Sequence, residues 1–467
     1  MPLPTATERP LPLVAQIEQD LRTRMARGVL GAGMRLPSIR QLAEVRGVSR
    51  NTVIEAYERL RAQGLVRARQ GSGYFVQEPP PPGPASAGGA LAPQQAEDVA
   101  GALWHLFRDA PGTLKLGCGW LPDSWREQDE LAAAIRQVAR REAQALFDYS
   151  TPLGSPALRT LLQQQLAARL GFGVAASQIV LTTGASHGLD LLVRYLLRPG
   201  DEVLVESPGY YNLFGLLQLH GIRLLEVPRT PQGPDVDALA QLLQSHRPKA
   251  FFANSVFHNP TGGLLSAATA HRLLQLAERH DFVLVEDDIY ADLQDEPSVR
   301  LATLDQLQRV IYLGSFSKTL SCSLRVGYIA ASAALIRPLV DVKMLTSIAS
   351  SRFAEEVVAA MVESGSYRRL AERLRRRLEG QQAAVQQLMA SAGWEVWGQP
   401  AGGMFAWARR PGVEDSATLV AAAERRGISL SAGSAFMPNG TASPWLRINV
   451  AYATEPAAVA FLADPGV

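Results

Sequence analysis

The chain has 467 residues, 47% of them apolar, with 46 basic side chains against 44 acidic ones and a net charge of +2. That size and apolar content provide for on the order of two to four domains around a large core. The near-neutral balance excludes a uniformly basic coat for polyanions, and the absence of any run of about 18 apolar residues excludes a membrane span. The N-terminal stretch MPLPTATERP has no apolar signal core. The two cysteines, Cys118 and Cys322, form no disulfide framework or metal-ligand spacing, which predicts a reducing cytoplasm. The seven histidines form no pair at ligand spacing, so no metal is expected.

The local charge differs from the overall one. Residues 9–78 hold twelve arginines against six acids, a net charge of +6, as in a module that meets polyanion. Val14, Ile17, Leu21 and Met25 recur at helical spacing, and Gly28 stops that helix. Ser38 followed by Gln41 is a capping box opening a second helix, which ends at Gly47. Ser49 caps a third, with Val53, Ala56, Tyr57 and Leu60 on one face until Gly64. Two short helices joined by a tight turn predict a helix-turn-helix. The third helix opens on Ser49, Arg50, Asn51 and Thr52, donors of the kind that recognition helices turn to the major groove. Leu65–Arg69 and Tyr74–Val76, around Gly71-Ser72-Gly73, predict a basic hairpin able to lie along a phosphate backbone. A protein-docking module with a solvated basic face is the competing reading.

The stretch LPSIRQLAEVRGVSRNTVIEAYERLRAQGLVRARQGSGYFV resembles the winged helix-turn-helix of GntR-type bacterial regulators almost end to end. The resemblance implies binding to double-stranded operator DNA. It would set Arg40, Ser49, Arg50, Asn51 and Thr52 at bases or phosphates, and Gly71, Ser72 and Gly73 at the wing.

Residues 79–100 open on four prolines and are rich in Pro, Gly and Ala, a composition that forms no core. They predict a semi-rigid linker that reaches on the order of 60 Å.

In residues 101–467, apolar strand-like runs alternate with amphipathic helical ones: Ile179–Leu181, Glu202–Val205, Ala250–Ala253, Phe282–Val285, Val310–Leu313 and Gly327–Ala330. This predicts an α/β body with a mainly parallel sheet and a ligand beyond the C-terminal strand ends. The chain has only four lysines: Lys115, Lys249, Lys318 and Lys343. Lys115 and Lys249 open short strand-like runs, and Lys343 sits in a helical pattern. Lys318 follows Val310–Leu313 among Ser315, Ser317 and Thr319, with Arg325 seven residues on, which suits a Schiff-base lysine for a phosphate-bearing aldehyde. From this window alone a solvated loop lysine fits equally well. Thr182-Thr183-Gly184-Ala185-Ser186-His187-Gly188 predicts a Gly-rich turn running into a helix Leu189–Leu197, whose backbone N–H groups suit a phosphate. Tyr210 reads alone as a core aromatic, but it follows a strand where a ring can stack on a heterocycle. Asn259 is a neutral amide suited to a phenolate oxygen, which Tyr290 is placed to share. The acids Glu286, Asp287 and Asp288 would be costly at a buried strand end without a partner such as a pyridinium nitrogen. A metal is the competing partner.

The segments HNPTG, EDDIY and SFSKTLSCSLRVGY, in that order, resemble fold-type I pyridoxal-phosphate aminotransferases, and the resemblance covers nearly all of residues 101–455. It implies pyridoxal 5'-phosphate on Lys318, Asp287 on the ring nitrogen, Asn259 with Tyr290 on the 3-oxygen, and Tyr210 stacked on the ring. Ala185, Ser186, Ser315, Ser317 and Arg325 would hold the phosphate, although Ala185 offers only its backbone N–H where relatives often have a hydroxyl. Tyr149 would reach the phosphate of the partner subunit in a homodimer. Arg447 would clamp a substrate carboxylate, under a loop at Gly117–Pro122. A GntR-type reader on such a body is the layout of the MocR subfamily. The layout implies a cytoplasmic transcriptional regulator that senses an amine or amino acid by external aldimine formation at the Lys318 site. A working aminotransferase with secondary DNA binding, and a sensor of the cofactor itself that regulates vitamin B6 synthesis, are the alternatives.

Overall fold

The computed structural model describes residues 11–77, 112–141, 143–295, 298–400 and 402–466, and the chain divides into two compact units, Met1–Leu91 and Ala92–Val467. The linker expected at 79–100 and the start of the body at 101 lie outside the described residues.

In the first unit, α1 spans Leu13–Ala26, α2 Ile39–Arg46 and α3 Arg50–Ala62. The hairpin strands are β1, Val66–Arg69, and β2, Gly73–Val76. The caps read from the sequence form. Ser38 Oγ accepts from Gln41 N at 3.2 Å and Ser49 Oγ from Thr52 N at 3.1 Å. Gly47 ends α2 in the left-handed conformation. Ile17, Leu21, Val53, Ala56, Tyr57 and Leu60 are buried together. Tyr57 OH, donating to Pro37 O at 2.8 Å, satisfies the polar end of the largest of them.

The second unit is built on a sheet of eight strands. These are β3 (Ile179–Thr182), β4 (Glu202–Ser207), β5 (Arg223–Thr230), β6 (Gly233–Pro234), β7 (Ala250–Ala253), β8 (Val283–Asp287), β9 (Val310–Ser315) and β10 (Gly327–Ala330). Their order is β3-β10-β9-β8-β7-β4-β5-β6. The run from β9 to β5 is parallel, while β10 runs antiparallel to both of its neighbours. Both faces of the sheet are covered, so the middles of its strands are unbroken apolar runs, such as Val203–Val205 and Val283–Val285. Alternate side chains enter different cores: Leu204, Phe251, Leu284 and Tyr312 pack with helices Pro156–Leu170, Ala267–His280 and Arg352–Glu363. Val205, Phe252, Val285 and Ile311 pack with helices Gly184–Leu196, Tyr211–Leu219 and Ala333–Ser347.

A second, antiparallel sheet of β11 (Glu395–Val396), β12 (Phe405–Arg409), β13 (Ser431–Ala432) and β14 (Trp445–Asn449) has the order β11-β12-β14-β13. It packs on the long helix Ser366–Ser391 through Leu374, Leu378, Val385 and Met389. One expectation changes. The run opened by Lys115 is not a strand, since Leu114 makes only an isolated bridge to Ile428. Lys343 lies in a helix, as read, but is completely buried.

Candidate functional site

In the first unit, Arg40, Ser49, Arg50 and Asn51 are exposed, with Thr52 half-buried. Ser49 and Thr52 spend part of their capacity on each other, Oγ to Oγ1 at 2.9 Å. Gly71 and Gly73 take positive φ, 74° and 100°, which carries the tight wing turn. The ion pairs sort the arginines. Arg22, Arg46, Arg59 and Arg61 are taken by Glu18, Asp20, Glu55 and Glu58. Among the described residues no acid pairs with Arg40, Arg50, Arg67 or Arg69, which stand at the start of α2, the start of α3 and on the hairpin, nor with Arg24 and Arg27 at the end of α1. Arg35 also lies by the hairpin. It bridges to Phe75, and a Cβ at Gly73 would stand 3.4 Å from its Nε. The sequence pattern did not single it out, because it precedes any regular element.

In the second unit, the sheet topology gathers the expected residues. The C-terminal ends of β3, β4, β7, β8 and β9, with the start of β10, deliver the Ala185 turn, Tyr210, Asn259, Asp287, Lys318 and Arg325 to one edge. Glu206, Tyr210, Asn254, Asn259, Asp287 and Tyr290 line a cavity there.

Lys318 Nζ donates to Gly119 O at 2.8 Å and lies 6.0 Å from the Tyr290 ring centre. Desolvation lowers its pKa, with the nearby Arg447 charge acting the same way. Burial pushes Asp287 up to about 7, helped by the neighbouring Asp288. Its Oδ1 accepts from Ile289 N at 3.2 Å, and among the described residues no cation pairs with it. Asn259 Oδ1 accepts from Arg447 Nη1 at 2.9 Å, which turns the amide so that its NH2 is the end left to donate. Tyr290 is buried, edge-on to Phe405, and its hydroxyl is held well above its ordinary pKa by burial.

After β3, the helix Gly184–Leu196 presents the backbone N–H groups of Ala185 and Ser186. Arg325, at φ 53°, donates from Nη1 to Ser317 Oγ at 3.3 Å. Its guanidinium lies against Gly184, where any Cβ would overlap it. Ser315 Oγ is committed to the loop itself, donating to Val326 O and accepting from Ser317 N, so it braces Ser317. Arg447 is 1% exposed, boxed by Tyr211, Phe405 and Phe436, and donates to Gly117 O from Nη2 at 2.7 Å. Tyr149 stands apart from this group, 77% exposed.

One residue that sequence reasoning missed is Asn254. Its Nδ2 donates to Asp287 O at 2.7 Å and its Oδ1 accepts from Asn259 N at 2.9 Å, so it ties two of the expected residues together. The available signal was a polar residue directly after an apolar strand.

The donor set fits the group that the resemblance implies. A desolvated amine, a carboxyl lacking a cation, a free amide NH2, and an arginine beside a helix N-terminus match an aldehyde, a ring cation, a phenolate and a phosphate. Among the described residues no group of His, Cys, Asp and Glu is arranged to hold a metal, and no helix is long and apolar enough to cross a membrane.

Comparison with known proteins identifies both units. The family described as aminotransferase class I and II matches residues 111–462, and bacterial regulatory proteins of the gntR family match residues 13–76. A probable rhizopine catabolism regulatory protein MocR from Rhizobium meliloti is 30% identical over 90% of this chain and 86% of its own length. A 2-aminoadipate transaminase from Thermus thermophilus is 33% identical over 73% of this chain and 86% of its own. The crystal structure of a Thermus thermophilus alpha-aminoadipate aminotransferase, complexed with N-(5'-phosphopyridoxyl)-L-leucine, superposes with a TM-score of 0.71 at 28% identity. It covers 79% of this chain and 96% of that one. Two matched regions on one chain, in this order, define a layout shared along nearly the whole length with the MocR relative. The chain belongs to the aminotransferase class I and II family, in the MocR subfamily whose members carry a gntR-type helix-turn-helix domain.

Proposed function

We propose that this protein is a pyridoxal-phosphate-dependent transcriptional regulator, which binds operator DNA through its first unit and senses an amine or amino acid in its second. The observation that carries the reading is one chain bearing both acid-free arginines at a recognition-helix start and a desolvated lysine among cofactor-shaped donors.

When bound, pyridoxal phosphate supplies an electrophilic carbon and a ring that withdraws electrons from a bond being broken at the ligand's amino carbon. Lys318 would meet that carbon. Its lowered pKa leaves more of the amine neutral near pH 7, and therefore nucleophilic. Asp287 would hold the ring's positive charge, Asn259 Nδ2 and Tyr290 OH would donate to its 3-oxygen, and Tyr210 would pack on its face. Ala185 N, Ser186 N, Ser317 Oγ and Arg325 would hold the phosphate. Arg447 would exchange Gly117 O for the carboxylate of an amino-acid effector. The exposed Tyr149 would complete the site of a second copy, which makes the working unit a homodimer reading two half-sites.

A working aminotransferase is the second reading. It is favoured by the same lowered pKa, which suits Lys318 for moving a proton at the ligand's amino carbon. One experiment separates them. The full chain is loaded with pyridoxal phosphate and titrated with single amino acids while visible absorbance and binding to a duplex selected from a random pool are followed. A regulator shows a stable spectral change and altered DNA affinity with little keto acid. Sustained turnover at a typical enzyme rate of about 1–1000 per second overturns the regulator reading.

A further inference from the structure

The expected site residues leave unexplained a largely buried chain of polar side chains, half-buried at Arg169 and Asp292. Asp288, beside Asp287, accepts through Oδ2 from Arg300 Nε at 2.6 Å and from Tyr312 OH at 2.6 Å. Arg169 Nη1 donates to the hydroxyls of Tyr312 and Tyr328, each at 3.2 Å, and Arg169 Nη2 pairs with Asp292. Asp292 Oδ2 accepts from Tyr367 OH, and that hydroxyl stands 2.7 Å from Thr319 Oγ1. Thr319 is the residue after Lys318. The path therefore begins one residue from the aspartate and ends one residue from the lysine, passing through β9, helix Pro156–Leu170, the turn at Asp292 and helix Ser366–Ser391, with Tyr328 of β10 as a side branch.

We propose that this chain of hydrogen bonds is a positioning frame, which holds Lys318 and Asp287 at their working separation by fixing the neighbours of both; it rests on the reading that these two residues meet the cofactor.

Three features carry it. Two arginines balance two aspartates, so the frame adds no net charge beside the site. Tyr312, Tyr328 and Tyr367 are held neutral by burial, which raises all three pKa values and keeps the hydroxyls donating across the working range. Apolar contact would also bury these strands, but it is non-directional, whereas hydrogen bonds fix distance and angle. One peptide step of about 3.8 Å then passes a displacement at Asp288 or Thr319 to the residue that meets the ligand.

The test removes single hydroxyls without changing shape, with Tyr367→Phe and Thr319→Val in the full chain. The probe is pyridoxal phosphate itself. Its dissociation constant is read from tryptophan quenching, and the pH midpoint is read from its visible absorbance. Thr319→Val should bind about 2- to 12-fold more weakly, the weight of one lost hydrogen bond, and Tyr367→Phe, which loses two, should bind more weakly still; both should move the midpoint by about 0.3–1 pH unit. Thr319→Ser, which restores the hydroxyl, should return both values to those of the wild type. Val385→Ala, in a core away from the frame, should lower Tm and move neither. Tyr367→Phe and Thr319→Val with wild-type affinity and midpoint would overturn the frame while leaving the cofactor reading intact. Wild-type protein that takes up no cofactor would overturn both.

Discussion

Lys318 and Lys343 are both amines withdrawn from water, and burial lowers the pKa of both, that of Lys343 to about 8. Their bonding differs. Lys343 Nζ donates to Pro152 O at 2.9 Å, Leu181 O at 2.8 Å and Ser350 Oγ at 3.1 Å, which uses all three of its protons. Ser350 passes the contact on to Glu355, which also accepts from Ser155 N at 2.8 Å and is bonded by Ser150. Among the described residues Lys318 has one hydrogen-bond acceptor, Gly119 O. A perturbed pKa in a buried lysine therefore does not by itself mark chemistry. Unused bonding capacity among the expected site residues is the better sign, and by that measure Lys343 is structural while Lys318 is the candidate for chemistry.

The sharpest break of this comparison is covalent. Borohydride treatment of cofactor-loaded protein followed by peptide mapping should label Lys318 alone, and Lys318→Ala should abolish the visible band. Label on Lys343 would reverse the two assignments. The converse variant, Lys343→Met, leaves two backbone carbonyls without donors. It should lower unfolding stability in urea by about 2–4 kcal/mol while keeping the visible band; a band lost at temperatures where the variant is folded would give Lys343 a role in the site.

The same distinction applies to the arginines of the first unit. Arg50→Ala, with no acid partner, should weaken operator binding by about 1–3 kcal/mol at fixed salt if it reads a base. Arg59→Ala, which loses an exposed pair with Glu55, should change it by about 0.5 kcal/mol at most. Equal losses would show that pairing does not sort the contacts. The smallest effect is in pH dependence. Asp287 rises from 3.8 to about 7 in the folded cofactor-free chain, so its contribution is fully present below about pH 4 and is lost as pH rises through about 7. Asp287→Asn should flatten the fall of Tm over that window, an effect absent if the carboxyl is solvated.

Much of this site was legible because a buried parallel sheet writes its strands as unbroken apolar runs, and its ligand residues follow directly after them. Asn259, Asp287 and Lys318 each lie within six residues after such a run. The helix caps Ser38 and Ser49 were legible because capping is local. The hydrogen-bonded frame was not, since Arg169 and Asp292, or Thr319 and Tyr367, are far apart in the chain and only the fold joins them. The small sheet escaped too, because Glu395–Val396 and Ser431–Ala432 are too short to show alternation. Lys343 shows the limit of pattern reading most plainly, because a helical period says which face is turned inward but not what waits there to accept three protons.

The contact of Gly184 with Arg325 bears on which mutations this chain can survive. Position 184 takes φ 72°, a backbone that L side chains rarely adopt, and any Cβ there would also overlap the guanidinium. Shortening Arg325 relieves the overlap but not the backbone strain, and it discards the guanidinium proposed for the phosphate. Neither one substitution nor a compensating pair offers an escape, so in an unbiased mutational scan of the second unit Gly184 should be among the least tolerant of positions.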